Sequence, residues 1–496
     1  MYQNKLFIAL IFVINSSVLM FGQVFPDQYW LLGAHEQPAQ AGNNNAILRF
    51  DSSGLEITEQ DMHINFESTV ATMVDSSGNL LFYTNGCFVA NANGEMMDNG
   101  DGLNPGEMHD WTCGTAGYVA PFGAMALAAP AGGRLYYLLH IGVNYSPEHR
   151  LTYGPFYYSV VDMDANGGLG KVVSKNNLLV NQRNLAPFSV VRHGNGRDWW
   201  VVVPEYGTDA YFKFIIGHTG IQPAETQHIG DALSCRYIGA GAFSRQGHRY
   251  ARQHHCGVFT YDFDRCTGLF SNARHLPFAP QAFGGGGVIF TPDGNSVLTT
   301  TQLAIMRADL TAENPVLDTV IDYAYMTGTS LHLMQYGGDG KLYFSTLGRG
   351  AWYHVVEDAG NIDDHTDFKF RGQLLPVKNI RTLPNLPNFR LYDWHESPCD
   401  TLGITVSPVV SVPDPGMALY ITPNPATTHI QVHYEHIRPE QILLYNMSGE
   451  CMRVIECDAD QKETRIELSD LPPGVYCCAV KDKSGRLVTR TFAHTH

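Results

Sequence analysis

Charge is scarce in this 496-residue chain: Asp, Glu, Lys and Arg make up only 16% of it, against roughly a quarter in a typical domain. Most of that charge has one sign, with 48 acidic residues against 32 basic ones and a formal net of -16. No run of Lys and Arg exists to neutralise phosphates, so no nucleic-acid partner is expected. Catalytic signatures are also missing: there is no G-x-S-x-G elbow, no H-E-x-x-H helix and no P-loop. The absence of any C-x-x-C argues against a zinc ribbon or a thioredoxin-like site. Between Val24 and Cys399 no 3.6-residue periodicity persists over a dozen residues, which argues against long amphipathic helices.

Long apolar runs are absent except at the start. MYQNKLFIALIFVINSSVLMFGQ places Lys5 before an apolar stretch, Leu6 to Met20, and then the small Gly22. The stretch is short for a bilayer span and has the order of a signal peptide. The alternative, an N-terminal anchor helix, lacks a stop-transfer flank. Residues 1–22 are therefore read as a signal peptide, with no membrane span left after its removal. Ten cysteines in an exported chain permit disulfides. Cys87 with Cys113, and some pairing among Cys235, Cys256, Cys266 and Cys399, are the candidates.

Glycine and aromatic residues fill the space that charge leaves, with 49 Gly, 25 Tyr and 25 Phe. Many turns between aromatic strands favour an all-β chain. Self-similarity sharpens this. A strand, a Gly turn and an aromatic strand recur as VDSSGNLLFYT, APAGGRLYYLL, VRHGNGRDWWVVV, FSRQGHRYAR, FTPDGNSVLTT and QYGGDGKLYFST. Their glycines (Gly78, Gly133, Gly196, Gly247, Gly294 and Gly340) stand 46 to 63 residues apart. Seven hairpins of a second kind alternate with these six, from AILRFDSSGLEI to AWYHVVEDAGNI. Units of about 50 residues with about four strands each describe a β-propeller, whose closure removes exposed sheet edges.

The reading is a seven-bladed propeller over residues 27–396. Its first blade would be split, with Tyr29 to Gly33 completed by a strand Asn388 to Asp393 from the far end. GAGAF at Gly239, FGGGGVIF at Phe283 and FGAMALAA at Phe122 are small enough for inner strands at an axis. Six or eight blades, or tandem β-sandwiches, are the structural alternatives.

Residues 397–417 read as a linker, and the chain then restarts over 418–496. His429 to Tyr434 alternates strictly, placing Ile430, Val432 and Tyr434 on one face. The hairpins ILLYNMSGECMRVI and AVKDKSGRLVTRTF complete a small antiparallel sandwich. By composition alone it would be an immunoglobulin-like accessory module. The ordered motifs say more. Pro423, Asn424 and Pro425, Val432, Tyr445, Gly449, Leu471, Gly474, Val475 and Tyr476 resemble the C-terminal sorting domain of the type IX (Por) secretion system. That resemblance implies a partner, the outer-membrane translocon, and delivery through the periplasm to the medium or the cell surface. Cys451, Cys457, Cys477 and Cys478, and the terminal His-Thr-His, depart from the family pattern. The propeller segments GNLLFYTNG, YYSVVDMDANGGLG, WWVVVPEY and YDFDRCTGLFSN are similar to secreted, WD-repeat-like propeller proteins, a likeness that implies architecture and little chemistry.

Three constellations bear on chemistry. Asp162 to Gly167, DMDANG, matches the first half of a calcium loop, but Val173 stands where a bidentate Glu belongs; a hairpin turn is the reading. His248, His254, His255 and Cys256 are potential metal ligands, yet in a strand only His254 and Cys256 share a face while His255 points the other way, and satisfied or exposed histidines in a blade are the reading. Glu67, Glu205, Asp209 and Glu357 lie near strand ends and face either a funnel or plain solvent, and Trp111, Tyr145 and Trp352 are suited either to stack on sugar rings or to pack the blades. No catalytic residue, metal or cofactor is assigned. The expected activity is non-catalytic binding of a glycan or protein, the alternatives being a hydrolase or lyase on extracellular polysaccharide, or an envelope scaffold.

Overall fold

The computed structural model describes residues 24–495, apart from 34–44, 52–53, 147–149, 233–237, 280–283, 302, 324–329, 363–365, 396, 403–417, 436–438, 447–450, 458–460, 473 and 483–486. The leader therefore lies outside the described residues, as do Gly449 and most of the expected linker.

Seven antiparallel meanders follow one another from Tyr29 to Ile380. Their first strands are Tyr29–Leu32, Ala71–Val74, Ala124–Ala128, Ser189–Arg192, Ile238–Phe243, Gly284–Phe290 and Leu331–Tyr336. The first two sheets have three strands each, the fourth has five, and the others four. GAGAF and GGGGVIF thus form first strands of their sheets, and the Gly turns join first strands to second.

Alternation along each strand explains how the sheets become a ring. Successive side chains point to opposite faces, and here both faces are buried. Trp199, Val201 and Val203 join the third sheet's Met125 and Leu139, while Trp200 and Val202 join the fifth sheet's Tyr250 and Phe259. Likewise Leu31 packs with Val70 and Tyr83 of the second sheet. On the other side, Trp30 and Leu32 pack with Leu333, Tyr343 and Tyr353 of the seventh. The remaining neighbours share cores in the same way: second with third, fifth with sixth, sixth with seventh. Seven shared cores in cyclic order close a seven-bladed propeller. Such strands, buried on both faces, read as continuous apolar runs (WWVVV, LLFY) and hide their alternation.

The ring is not closed by the expected strand. Asn388 to Asp393 forms no ladder with any sheet. The chain from Thr382 to Leu391 instead runs down the axis as an irregular plug. Thr382 Oγ1 donates to Phe66 O and Glu67 O at 2.9 and 3.1 Å, and Phe66 bridges Gly33 at the end of the first strand. At the other end Arg390 pairs with Asp27, just before that strand. The segment therefore lies antiparallel beside Tyr29–Leu32, in the place foreseen for it. Pro384 and Pro387 have no N–H to donate, which is why a strand position carries no strand.

Side chains replace the missing ladder. Asn385 Nδ2 donates to Phe122 O and Phe188 O, Gln335 Nε2 to Pro384 O, and Asn388 Nδ2 to Arg245 O. Leu383 is buried with Trp30 and Leu32, and Phe389 meets Trp199 edge-on at 5.9 Å. These contacts reach six of the seven sheets, so the segment can lie only at the axis. Gly196 and Gly247, both with positive φ, sit where a Cβ would come within 2.8 Å of Asp393 and 2.7 Å of Leu391. Turn and passage both require glycine there.

Beyond the plug, Trp394 N donates to Gly194 O and Cys399 bonds Cys266 across 133 residues. Closing so long a loop restricts the unfolded chain. Replacing both cysteines with Ser should therefore cost about 2–4 kcal/mol of stability, read as a lowered denaturant midpoint. An unchanged midpoint would mean that the plug alone holds this end. Cys87 bonds Cys113, as anticipated.

The C-terminal part is a two-sheet sandwich. Ala418–Thr422, His429–Glu435 and Glu463–Glu467 face Cys451–Glu456, Pro439–Asn446, Gly474–Asp482 and Leu487–His494. Ile430, Val432 and Tyr434 are buried on one face against Ile442, Leu444, Val480 and Phe492. Both expected hairpins are present.

Candidate functional site

The upper mouth of the axis, where Thr382 enters, gathers charge. Strand pairing sets Arg349 opposite Ile380, so Arg381 follows at the same end of the seventh sheet. Arg381 Nε donates to Leu347 O at 3.3 Å, and the Thr382–Glu67 bond brings the second sheet's connection alongside. Glu67 is half-buried. Burial pushes its carboxyl above the usual range, and Arg381 and Arg349 oppose that shift. His332, on the first strand of the seventh sheet, is kept neutral by burial, its pKa lowered to about 3, with Arg381 acting in the same direction. Arg381 thus stands among a carboxylate, an imidazole and the tail of the axis.

An aromatic wall adjoins this mouth. The helix Glu107–Thr112 is held by the Cys87–Cys113 bond, and its Met108 packs with Val143 of the long strand Leu135–Ser146. That packing leaves Trp111 72% exposed and Tyr145 60% exposed. Thr115, just past the helix, accepts a bond from Asn65 at 3.2 Å, two residues from Glu67. The helix is thereby tied to the connection that carries Glu67.

The other sequence candidates do not gather there. Asp209 pairs with His228 at 2.8 Å, Glu357 with Lys341 at 2.7 Å, and Glu205 accepts from Thr208. Trp352 lies under the Arg371 guanidinium at 4.0 Å. In DMDANG, Asp162 Oδ1 accepts the N–H of Asp164 and a short 3-10 turn, Asn166–Gly168, follows, an ordinary hairpin turn. Cys256 is disulfide-bonded and offers no thiolate. His254 is buried face to face with Tyr206 at 5.5 Å, and burial lowers its pKa to about 3.

Sequence reasoning missed Arg349 and Arg381, because only the fold brings them beside Glu67. It also missed Asp393, His395 and Asp400, whose donor atoms lie within 4.8 Å of one another below the plug. Two of the three fall in the expected propeller and the third in the expected linker, so no spacing rule joins them.

In the sandwich the Pro423-Asn424-Pro425 turn is pinned to the last strand. Asn424 Oδ1 accepts the N–H of Ala493 at 2.9 Å, and Ala426 N donates to Ala493 O. The three turn residues remain exposed. Tyr476 stacks on Phe492 at 5.6 Å and donates to Pro472 O, which fixes the start of the strand Gly474–Asp482.

Comparison with known proteins bears on each half separately. Residues 420–493 match the secretion system C-terminal sorting domain. No curated protein matches the chain. Among solved structures, the periplasmic gluconolactonase of Pseudomonas aeruginosa is 16% identical over 68% of this chain and 93% of its own, with a TM-score of 0.39. A protein from Lactobacillus plantarum is 12% identical over 72% and 96%, with a TM-score of 0.37. The β-propeller domain of Cps50 (Swd1) from Myceliophteria thermophila is 10% identical over 72% and 100%, with a TM-score of 0.28. Among the described residues no helix is long and apolar enough to cross a membrane. The chain is an all-β, seven-bladed propeller that ends in a type IX secretion sorting domain, and it is exported by that route to the cell surface or the medium.

Proposed function

We propose that the exported propeller is a non-catalytic glycan-binding module whose site is the upper mouth. One observation carries this reading: Trp111 and Tyr145 are exposed, and the helix bearing Trp111 is tied through Thr115 and Asn65 to the connection that carries Glu67. Large apolar rings left in water stack on the apolar faces of sugars, and nearby charged groups fix orientation. The plug supports the reading, because Leu383, Leu386 and Phe389 pack along the axis against the sheets. Replacing Trp111 and Tyr145 with Ala should weaken binding of a captured glycan at least about tenfold, since aromatic hot spots commonly exceed 2 kcal/mol. Unchanged affinity would move the site elsewhere.

The sorting signal is assigned to Pro423, Asn424, Pro425, Gly449, Gly474, Val475 and Tyr476, recognised by the type IX machinery. Residues 1–22 serve as the signal peptide, the propeller domain spans 27–396, a linker 397–417, and the sorting domain 418–496.

A second reading has an observation of its own. Glu67, with its raised pKa, lies beside Arg381 and near His332, which is the acid, cation and imidazole a polysaccharide hydrolase or lyase would need. Product analysis separates the two: binding leaves the polymer intact.

A further inference from the structure

We propose that the Cys87–Cys113 disulfide is a redox-operated clamp on glycan binding: closed, it presents Trp111, and opened by a dithiol reductant, it releases that ring. The inference rests on the glycan-binding reading above and names how that site is regulated. Its basis is how the segment bearing Trp111 is fastened. Upstream, Asn104 is buried, its Nδ2 donating to Gly86 O at 3.0 Å and its Oδ1 meeting His140 Nδ1 at 2.7 Å. Downstream, Tyr118 is buried and its hydroxyl accepts the Val143 N–H at 2.8 Å. Both anchors thus reach the long strand Leu135–Ser146. The excursion between them, 105–116, carries the helix Glu107–Thr112.

Six residues do not hold a helix in water by themselves, since isolated helices below about 12–15 residues are marginal. Gly106 at its start has no side chain to cap the first N–H groups. Met108 and Thr112 are its buried residues, and Thr112 Oγ1 merely turns back to Met108 O. The Asn65 bond to Thr115 just beyond is an exposed one. Burial therefore offsets little of the cost of ordering this segment, and the disulfide offsets the rest. It ties the end of the helix to Cys87, which is buried with Met108, Tyr118 and Val143.

Cys113 is half-buried where Cys87 is buried, so a dithiol's thiolate attacks Cys113 Sγ. The S–S bond breaks, and Cys87 leaves as a thiolate and takes a proton. The second thiol then attacks the mixed disulfide, which frees Cys113 as a thiol and leaves the reductant as its own disulfide. With the bond open, a sugar stacking on Trp111 must first order the segment again, and affinity falls.

The test compares the full secreted protein with Cys87→Ser/Cys113→Ser and, as a control, with Cys266→Ser/Cys399→Ser. Amide hydrogen exchange reads the order of residues 105–116, and cellohexaose, xylohexaose and mannohexaose are the binding probes. Loss of the first bond should speed exchange over 105–116 about tenfold or more while the blade strands stay protected. It should weaken the bound probe about tenfold, as far as Trp111→Ala does, and Trp111→Ala should add nothing in that variant. The control should change neither reading. Dithiothreitol should reproduce the faster exchange in the parent. Three results would each overturn the clamp and leave the glycan-binding reading standing. They are unchanged exchange without the bond, a bond that dithiothreitol leaves intact in the folded protein, and a Trp111→Ala cost that persists in the variant. A parent that binds none of the probes would overturn the glycan-binding reading and, with it, the clamp's role in binding.

Discussion

Replacing Leu383 and Phe389 together with Ala is expected to destabilise the propeller by about 5–10 kcal/mol, the sum of two buried truncations. Both side chains belong to the plug. Leu383 is fully buried in the core that the seventh sheet shares with the first, and Phe389 in the core between the third and fourth. Each truncation leaves a cavity where separate sheets meet, so little local collapse can fill it. The two sites lie in different cores, which makes approximate additivity reasonable. Urea unfolding of the single and double variants checks this, with the midpoints falling in order. Should the double variant unfold at the parent's midpoint, the axial segment would be an ornament on an already closed ring.

Deleting Leu419 to His496 should leave the propeller folded and stop its export. Every sheet of the propeller closes without any residue beyond Ile380, and the plug and its disulfide end at Cys399. Fold and address are thus separable along the chain. The truncated protein is expected in the periplasm, with its disulfides formed and its melting temperature unchanged, and absent from the surface and the medium. Fractionation with blotting reads the outcome. Surface delivery of the truncated chain would remove the sorting role from these residues.

The blade count was legible in the sequence because each blade needs a tight turn between its first two strands, and glycine marks most of them. Gly196 and Gly247 illustrate this doubly, since their lack of a Cβ serves both the turn and the passing plug. The sandwich was legible for another reason: its strands bury one face only, so Ile430, Val432 and Tyr434 alternate with polar neighbours. The plug was half legible. Its place beside Tyr29–Leu32 follows from the missing strand of a split first blade. Its conformation was misread, although Pro384 and Pro387 stand in plain view, because the strand was placed after them, at Asn388. The charged mouth was the least legible part. Glu67 is one of four acids near strand ends, with nothing in the sequence to set it apart, and Arg349 and Arg381 lie about 300 residues away in sequence and meet it only through ring closure. A site built from the connection into the second sheet and the end of the seventh has no local spacing to read.

The account's central claim is that this exported propeller holds a glycan without cutting it. The most direct measurement incubates the secreted protein with a broad polysaccharide panel, scoring retention on the protein and the masses of any products. Retention of a glycan at unchanged chain length is the predicted result. A shortened polymer, with product ends that name the bond broken, would contradict the claim and make Glu67 the first residue to replace.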